Sequence, residues 1–379
     1  MSKIIFLISP LLRDVDIRTE SVASSLVPVL NSLETHSPNL AILNISTGLF
    51  NAHCMSAICS FPQLQEVVIR GHNSGDELSL MDFFTHTSSN QTLRQFSLFG
   101  DMRLVSSNAD PGYGTVAFPA LESIDLHCLL TSINPITTLL CYVALPSLKS
   151  LLMMITMSSV KPIKSIEDQC WIQFFNLIGN VTTNHFKTLQ ISGHRFEEVD
   201  ASYSLWKDVN LTVSKFLNLD KLSLEDFTIG APILHSLHHN DVQKIINTWP
   251  GLRYFHLTSC RPFKLGFDVL LDIALGLPSL YRLALSMDLQ QLPSLEAIPL
   301  LAHGLDRLEL EISSMEPDSI MEFAQCIDKI FPRIDSWSFK CSNYPAFHQK
   351  ATSILIALQR ARKYEVKRVS LGMHEVNDK

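Results

Sequence analysis

The sequence has no basic cluster larger than the stretch from Arg360 to Arg368, no Cys-x-x-Cys pair and no apolar run long enough to cross a bilayer. It also carries none of the short motifs that mark a catalytic centre. Each absence removes a class of function. With a formal net charge of -7 and a pI near 6.0, the chain is a poor match for a polyanion, so nucleic acid is not an expected partner. The cysteines (Cys54, Cys59, Cys128, Cys141, Cys170, Cys260, Cys326 and Cys341) are scattered, which fits buried free thiols in a reducing compartment better than a structural zinc site. Apolar runs stay below the roughly 18 residues that a spanning helix needs, so no membrane span is expected. The opening run Ile4 to Ile8 follows Lys3 like the core of a signal peptide, but Pro10 cuts it short and no small-residue cleavage site follows. Sequons at Asn44, Asn180 and Asn210 therefore read as chance matches, and the expected location is cytoplasm or nucleus. No nucleophile elbow, Walker loop, dinucleotide fingerprint or His-Glu-x-x-His occurs, so neither catalysis nor a cofactor nor a metal is expected. His235, His238 and His239, with only Asp241 at partnering distance, read as a solvated loop. Cys54 and Cys59 lie in too apolar a context for a reactive pair.

What the chain does have is apolar material and a period. Of its 379 residues 46% are hydrophobic and 18% charged, enough for a continuous core over most of the length. The pattern Pro-x-Leu-x-x-Leu-x-Leu, with other large apolar residues allowed, starts at Pro10, Pro38, Pro62, Pro119, Pro146, Pro250, Pro278 and Pro332. The same spacing without proline starts at Leu93, Phe186, Leu219, Leu305 and Val366, which makes thirteen copies. Their mean separation, about 29.5 residues, is a leucine-rich-repeat length at its upper edge. At this composition roughly two proline-marked matches are expected by chance, and two out-of-register ones occur, at Pro111 and Pro293. The in-register copies exceed that background.

Within each copy the second and third apolar positions share one face of a short strand, and proline suits the strand's entry because it has no amide to donate and disfavours helix before it. Stretches with helical spacing lie between copies: Glu20 to Leu33, Leu78 to Phe84, Cys170 to Ile178, Val242 to Trp249, Phe267 to Leu275, Ser319 to Ile330 and Thr352 to Arg360. Strand then helix, repeated, demands parallel neighbours, and one repeat cannot bury both of its faces alone. The expected fold is an α/β leucine-rich-repeat solenoid: a curved parallel sheet on the concave side, helices on the convex side, about 13 irregular repeats in a single domain spanning 1–379. Its ends would be a remnant of a preceding repeat at 1–9 and a polar tail at 373–379.

The copies Phe61 to Ile69, Phe118 to Leu126 and Phe331 to Phe339 have the form Phe-Pro-x-Leu-x-x-Leu-x-Leu, which resembles the leucine-rich regions of fungal F-box proteins. The resemblance covers essentially the whole chain. It implies a repeat array that selects a protein for ubiquitination while an N-terminal F-box recruits the ligase adaptor. Only Met1 to Ser9 precede the first copy, so adaptor binding is expected only if a longer form supplies the F-box. Ile4 to Ile8 then read as the last convex helix of a missing repeat.

If the strand residues at the first, fourth and sixth positions of each copy are buried, the third, fifth and seventh line the concave face. That face includes Asp14, Asp16, Arg18, Glu66, Arg70, Asp125, Lys221, Glu225, Arg282, Lys340 and Arg368. Its interface-type members are Phe99, His127, Leu152, Met154, Tyr254 and His256, because large apolar and aromatic side chains desolvate much area at modest entropy cost. Arg307, Glu309 and Glu311 add a mixed-charge row suited to a charged partner. The polar or glycine-rich inserts Gly71 to Leu78, Asp101 to Thr115 and Gly193 to Leu205 would overhang one rim. Two other readings remain open: a stand-alone repeat binder or inhibitor unrelated to ubiquitin, and a hydrolase with dispersed active-site residues.

Overall fold

In the computed structural model, residues 9–19, 26–73, 77–87, 91–105, 116–130, 133–157, 164–181, 185–193, 211–212, 219–230, 234–258, 263–289, 291–313, 315–341 and 344–370 are described. They fall into two compact units, Met1–Leu224 and Glu225–Lys379.

In the first unit, strands β1 (Asp14–Thr19), β2 (Ile42–Phe50), β3 (Glu66–Asn73), β4 (Gln95–Val105), β5 (Ser123–Leu130), β6 (Ser150–Met157) and β7 (Thr188–Gly193) pair in chain order, all parallel. The register keeps equivalent repeat positions side by side, so Val15, Leu43, Val67, Phe96, Ile124, Leu151 and Leu189 form one buried row. Its backbone cause recurs at every repeat. The carbonyl of Arg13 accepts from the amides of Ala41 and Ile42, both at 2.9 Å, and those of Ala41, Gln65, Arg94, Glu122 and Lys149 do the same for the next copy.

The prolines have a sharper role than strand entry. Pro10, Pro38, Pro119 and Pro146 take the second place of a turn closed by the first repeat leucine: Leu12 donates to Ser9 (2.9 Å), Leu40 to Ser37 (3.1 Å), Leu121 to Phe118 (3.3 Å) and Leu148 to Leu145 (3.2 Å). A ring that presets φ near -65° suits that place, and the missing amide costs nothing there.

Helices α1 (Leu26–His36), α2 (Ala52–Cys59), α3 (Leu80–His86), α4 (Asn134–Tyr142) and α5 (Lys164–Val181) follow β1, β2, β3, β5 and β6. They are short and held mainly by their buried stripe, for example Leu26, Leu30 and Leu33 of α1. Side chains cap two of them: Asn51 accepts from the amide of Cys54 (3.0 Å) and Ser79 from that of Asp82 (3.1 Å). Phe83 and Phe84 of α3 pack with Phe96 and Phe118 at centroid distances of 4.6 to 5.4 Å. Trp171, Phe174 and Phe175 form a second aromatic group on α5.

In the second unit, β8 (Asp226–Ile229), β9 (Tyr254–Leu257), β10 (Arg282–Met287), β11 (Arg307–Ile312) and β12 (Ser336–Cys341) again pair in order and parallel, with α6 (His239–Thr248), α7 (Asp268–Gly276), α8 (Ile320–Ile330) and α9 (Phe347–Ser370) between and after them. Two expectations are corrected here. The copy expected from Leu219 starts at Leu224: Phe227 stands opposite Phe255, and the Glu225 carbonyl accepts from the amides of Arg253 and Tyr254. Leu219 instead closes a turn with Leu222 (2.9 Å), so Lys221 lies before the strand and Glu225 one place short of it. The copy expected at Val366 is not a strand, because α9 runs through it; Arg368 therefore sits on a helix. Phe347, Ala351 and Leu355 of α9 are buried, and Trp337 Nε1 donates to Thr352 Oγ1 at 2.9 Å, so the helix packs on the last strand as a cap.

Between β10 and β11 the described segment carries no α-helix, only the 3-10 turn Leu295–Ala297. Buried His303 holds it, with Nε2 2.9 Å from the Leu277 carbonyl and Nδ1 accepting from Leu305 N at 3.0 Å. Lys329 Nζ donates to the Leu295 carbonyl at 2.6 Å.

Candidate functional site

The repeat strands bury one alternate set of side chains and turn the other to the opposite face, where Val68, Ser97, Ala284 and Ser286 are also buried; all nine candidate residues are in that second set and remain at least partly exposed. In the first unit the parallel register brings Phe99, His127 and Met154 into one row together with Arg70. Arg70 Cζ lies 5.1 Å from the centre of the Phe99 ring, and the Phe99 and His127 rings are 4.8 Å apart at 58°. His127 Nε2 is 2.9 Å from Asp125 Oδ1. Asp125 stands beside Leu152 in the neighbouring row, and burial pushes its carboxyl above the usual range while the charge of His127 opposes the shift. Phe99, Leu152 and Met154 are half-buried and Arg70 is exposed.

The second unit places Tyr254, Arg282 and Arg307 in one row, His256, Ala284 and Glu309 in the next, and Ser286, Glu311 and Lys340 in the third. Here contacts run across strands. Arg282 Nη2 reaches Glu309 Oε1 at 2.6 Å, Ser286 Oγ donates to Glu311 Oε2 at 3.0 Å, and Lys340 Nζ lies 3.5 Å from Glu311 Oε1. Ala284, between His256 and Glu309, is only 1% exposed. Burial holds His256 below the ordinary histidine value; Arg282 adds to the shift, while Glu309 and Glu311 oppose it. Arg70, Asp125, Arg282 and Lys340 were legible as face residues but not as partners of these groups. Tyr281 was missed: it stacks edge-on with Tyr254 at 5.9 Å, and its hydrogen bond to Asp306 raises its hydroxyl.

The remaining polar features have structural employment. Asp241 accepts from the His238 amide at 3.1 Å at the start of α6, and His239 Nε2 is 2.6 Å from Asp272 Oδ2 of α7. Among the described residues no group of three or more His, Cys, Asp or Glu is placed to hold a metal ion, and no helix is long and apolar enough to cross a membrane. Burial pushes the Cys59 thiol up to about 12 and raises Cys54 as well, which suppresses the thiolate. Of the inserts, Gly71 to Asn73 and Asp101 to Val105 extend β3 and β4, while 74–76, 106–115 and 194–205 lie outside the described residues, as do Ile4 to Ile8 and 373–379.

A parallel strand from each repeat, buried on one face and backed by short helices or extended segments, defines a leucine-rich-repeat array. The chain is an α/β leucine-rich-repeat solenoid. No family model matches it, and no curated protein does. Among solved structures, an internalin from Listeria monocytogenes is 12% identical, the match covering 83% of this chain and 76% of that one with a TM-score of 0.32.

Proposed function

We propose that the chain binds another protein on its open strand faces and works by recognition without chemistry. The observation that carries this is the row Arg70, Phe99, His127 and Met154. A phenyl ring, an imidazole and a thioether stand side by side on the strand face without being drawn into the core, and such side chains anchor interfaces. The Phe-Pro-x-Leu-x-x-Leu-x-Leu copies support a finer reading, the substrate-recognition repeats of an F-box-like ubiquitin-ligase receptor of cytoplasm or nucleus, with the ligase adaptor as second partner of a form that carries an F-box.

Affinity purification of the tagged chain, followed by mass spectrometry, tests both levels. A protein recovered with the wild type and lost from the Phe99, His127, Tyr254 and His256 to alanine variant supports the strand-face reading, and adaptor in the same eluate supports the receptor reading. Partners retained by that variant would overturn the first. A strand-face partner without adaptor in an F-box-bearing form would overturn the second.

A further inference from the structure

Arg70 stands out from the other cations of its row. Arg18 is engaged by Asp16 on its own strand, at 2.7 Å, and His127 by Asp125. Among the described residues no carboxylate pairs with Arg70. Its guanidinium lies over the Phe99 ring, which holds the side chain in place and leaves the N–H edges free for a planar anion. Among the described side chains, the acids of this face stand toward the strand starts, at Asp14, Asp16, Glu66 and Asp125, whereas the row that contains Arg70 has no acid from Arg18 through Ser46, Phe99 and His127 to Met154.

Resting on the strand-face reading above, we propose that this row binds an extended acidic segment of a partner protein, seating an Asp or Glu carboxylate on Arg70 and an apolar side chain over Leu152 and Met154. Spacing makes the proposal specific. From Arg70 to Met154 the row crosses three strand gaps of about 4.8 Å, roughly 14 Å. An extended chain advances about 3.3 Å per residue with alternate side chains on one face, so four residues span about 13 Å and return to the same face. Acid and apolar residue should thus be four apart. The side chain midway between them falls over Phe99 and His127, where a small residue fits. A guanidinium that is oriented by a ring and has no acid paired with it among the described residues forms the charge-assisted pair without first breaking another.

The test is selection of random dodecapeptides displayed on phage against the full chain, followed by affinity measurement of the enriched peptide at low and physiological salt. Wild type should enrich Asp or Glu four residues from a Leu, Ile, Met or Phe. Arg70→Glu should weaken the enriched peptide by about tenfold or more at low salt, and a peptide with its acid replaced by Lys should recover binding to that variant. Arg70 is exposed, so an unchanged thermal midpoint will show that the variant is folded. Enriched peptides that ignore Arg70→Glu but are lost on Phe99→Ala with His127→Ala overturn the acidic partner and leave the strand-face reading standing. Peptides that bind the double variant as well as wild type overturn both. Enrichment of no sequence, or of phosphopeptides alone in a parallel phosphorylated array, also overturns the proposal.

Discussion

The two units build their open faces from the same repeat and arrange charge on them in opposite ways. On the open face of Met1–Leu224 the described ion pairs join residues two apart on one strand, Asp16 with Arg18 and Asp125 with His127, with acids nearer the strand starts, while Lys149 with Glu122 bridges neighbouring repeats just before their strands. In Glu225–Lys379 the arginines Arg282 and Arg307 stand at the strand starts, Glu309 and Glu311 lie further along, and the pairs Arg282 with Glu309 and Lys340 with Glu311 bridge neighbouring strands. A pair within one strand leaves the neighbouring strand's groups to find other partners. A pair across strands ties neighbouring repeats together, and Ala284 beside the Arg282–Glu309 pair is almost fully buried. Among the described residues each face keeps an arginine outside an ion pair, Arg70 on the first and Arg307 on the second, and Arg70 is the one that lies over an aromatic ring, with Phe99, His127 and Met154 in its row.

The largest expected effect is on the backbone that carries the Arg70 row. Gly100, next to Phe99, has φ +125°, and a Cβ there would lie 1.7 Å from the Gly71 carbonyl oxygen, next to Arg70. Strand and strand meet without side chains at that point, and no rotamer change can relieve the contact. Gly100→Ala should cost roughly 3 kcal/mol in urea unfolding. In the second unit a Cβ on Gly276 would meet only the Ile246 side chain, at 2.2 Å, so Gly276→Ala should cost about 1 kcal/mol through repacking. Equal costs would show that β3 and β4 do not approach as described.

Next in size is the division of binding between the faces. Phe99→Ala with His127→Ala should weaken any strand-face partner by about 2 kcal/mol or more, near thirtyfold, whereas Tyr254→Ala with His256→Ala should cost about 1 kcal/mol or less, because His256 is half-buried against Thr258 and Arg282, Glu309, Glu311 and Lys340 around it already pair with one another. Competitive binding of one labelled partner to both variants measures this, and the reverse order would move the binding face to the second unit.

How much of this was legible in the sequence follows from particular residues. Period two places Phe99, His127 and Met154 on the presented face, and the separation of the repeats places Arg70 beside Phe99, since all four share the seventh position of their copies. Local spacing does not choose between overlapping matches. Leu219, Leu222 and Leu224 fit the repeat as well as Leu224, Phe227 and Ile229, and only the register against Phe255 selects the second. Val366 and Val369 fit it too, yet α9 already runs from Phe347 with its buried stripe on the core, and the helix continues through them. The segment before β11 was out of reach for a different reason: what replaces the helix is a set of hydrogen bonds from His303 and Lys329 to distant carbonyls, with no periodic signature.

The cap offers a comparison of buried carboxyls. Asp328 of α8 is buried, and burial raises its carboxyl above the ordinary value although Arg362 of α9 pairs with it and opposes the shift. A carboxyl whose native pKa exceeds its unfolded value holds its proton more tightly when folded, so its contribution to stability falls as pH rises from the unfolded toward the native value. Arg362→Leu removes the opposing charge and should cost about 2 kcal/mol at neutral pH, less than for a fully enclosed pair because Arg362 is partly exposed, and the loss should shrink as the solution is acidified. Burial raises the carboxyl of Asp125 in the same direction, with His127 opposing the shift. A penalty for Arg362→Leu that grows on acidification would contradict the burial of Asp328.

The smallest effect tests whether closure of the second face is a matter of shape or of stability. Arg282 and Glu309 are each about one-third exposed, 35% and 34%, so water and salt screen their attraction and a double-mutant cycle with Gln at both positions should give a coupling below about 1 kcal/mol. Their arrangement still matters, since losing Glu309 frees Arg282 on that face much as Arg70 is free on the other. Glu309→Gln should therefore leave the unfolding midpoint nearly unchanged while giving the second unit a measurable, salt-sensitive affinity for the acidic peptides selected by the first. If the substitution instead unfolds the chain at markedly lower urea, the pair holds β10 to β11, and the contrast between the two faces is one of stability.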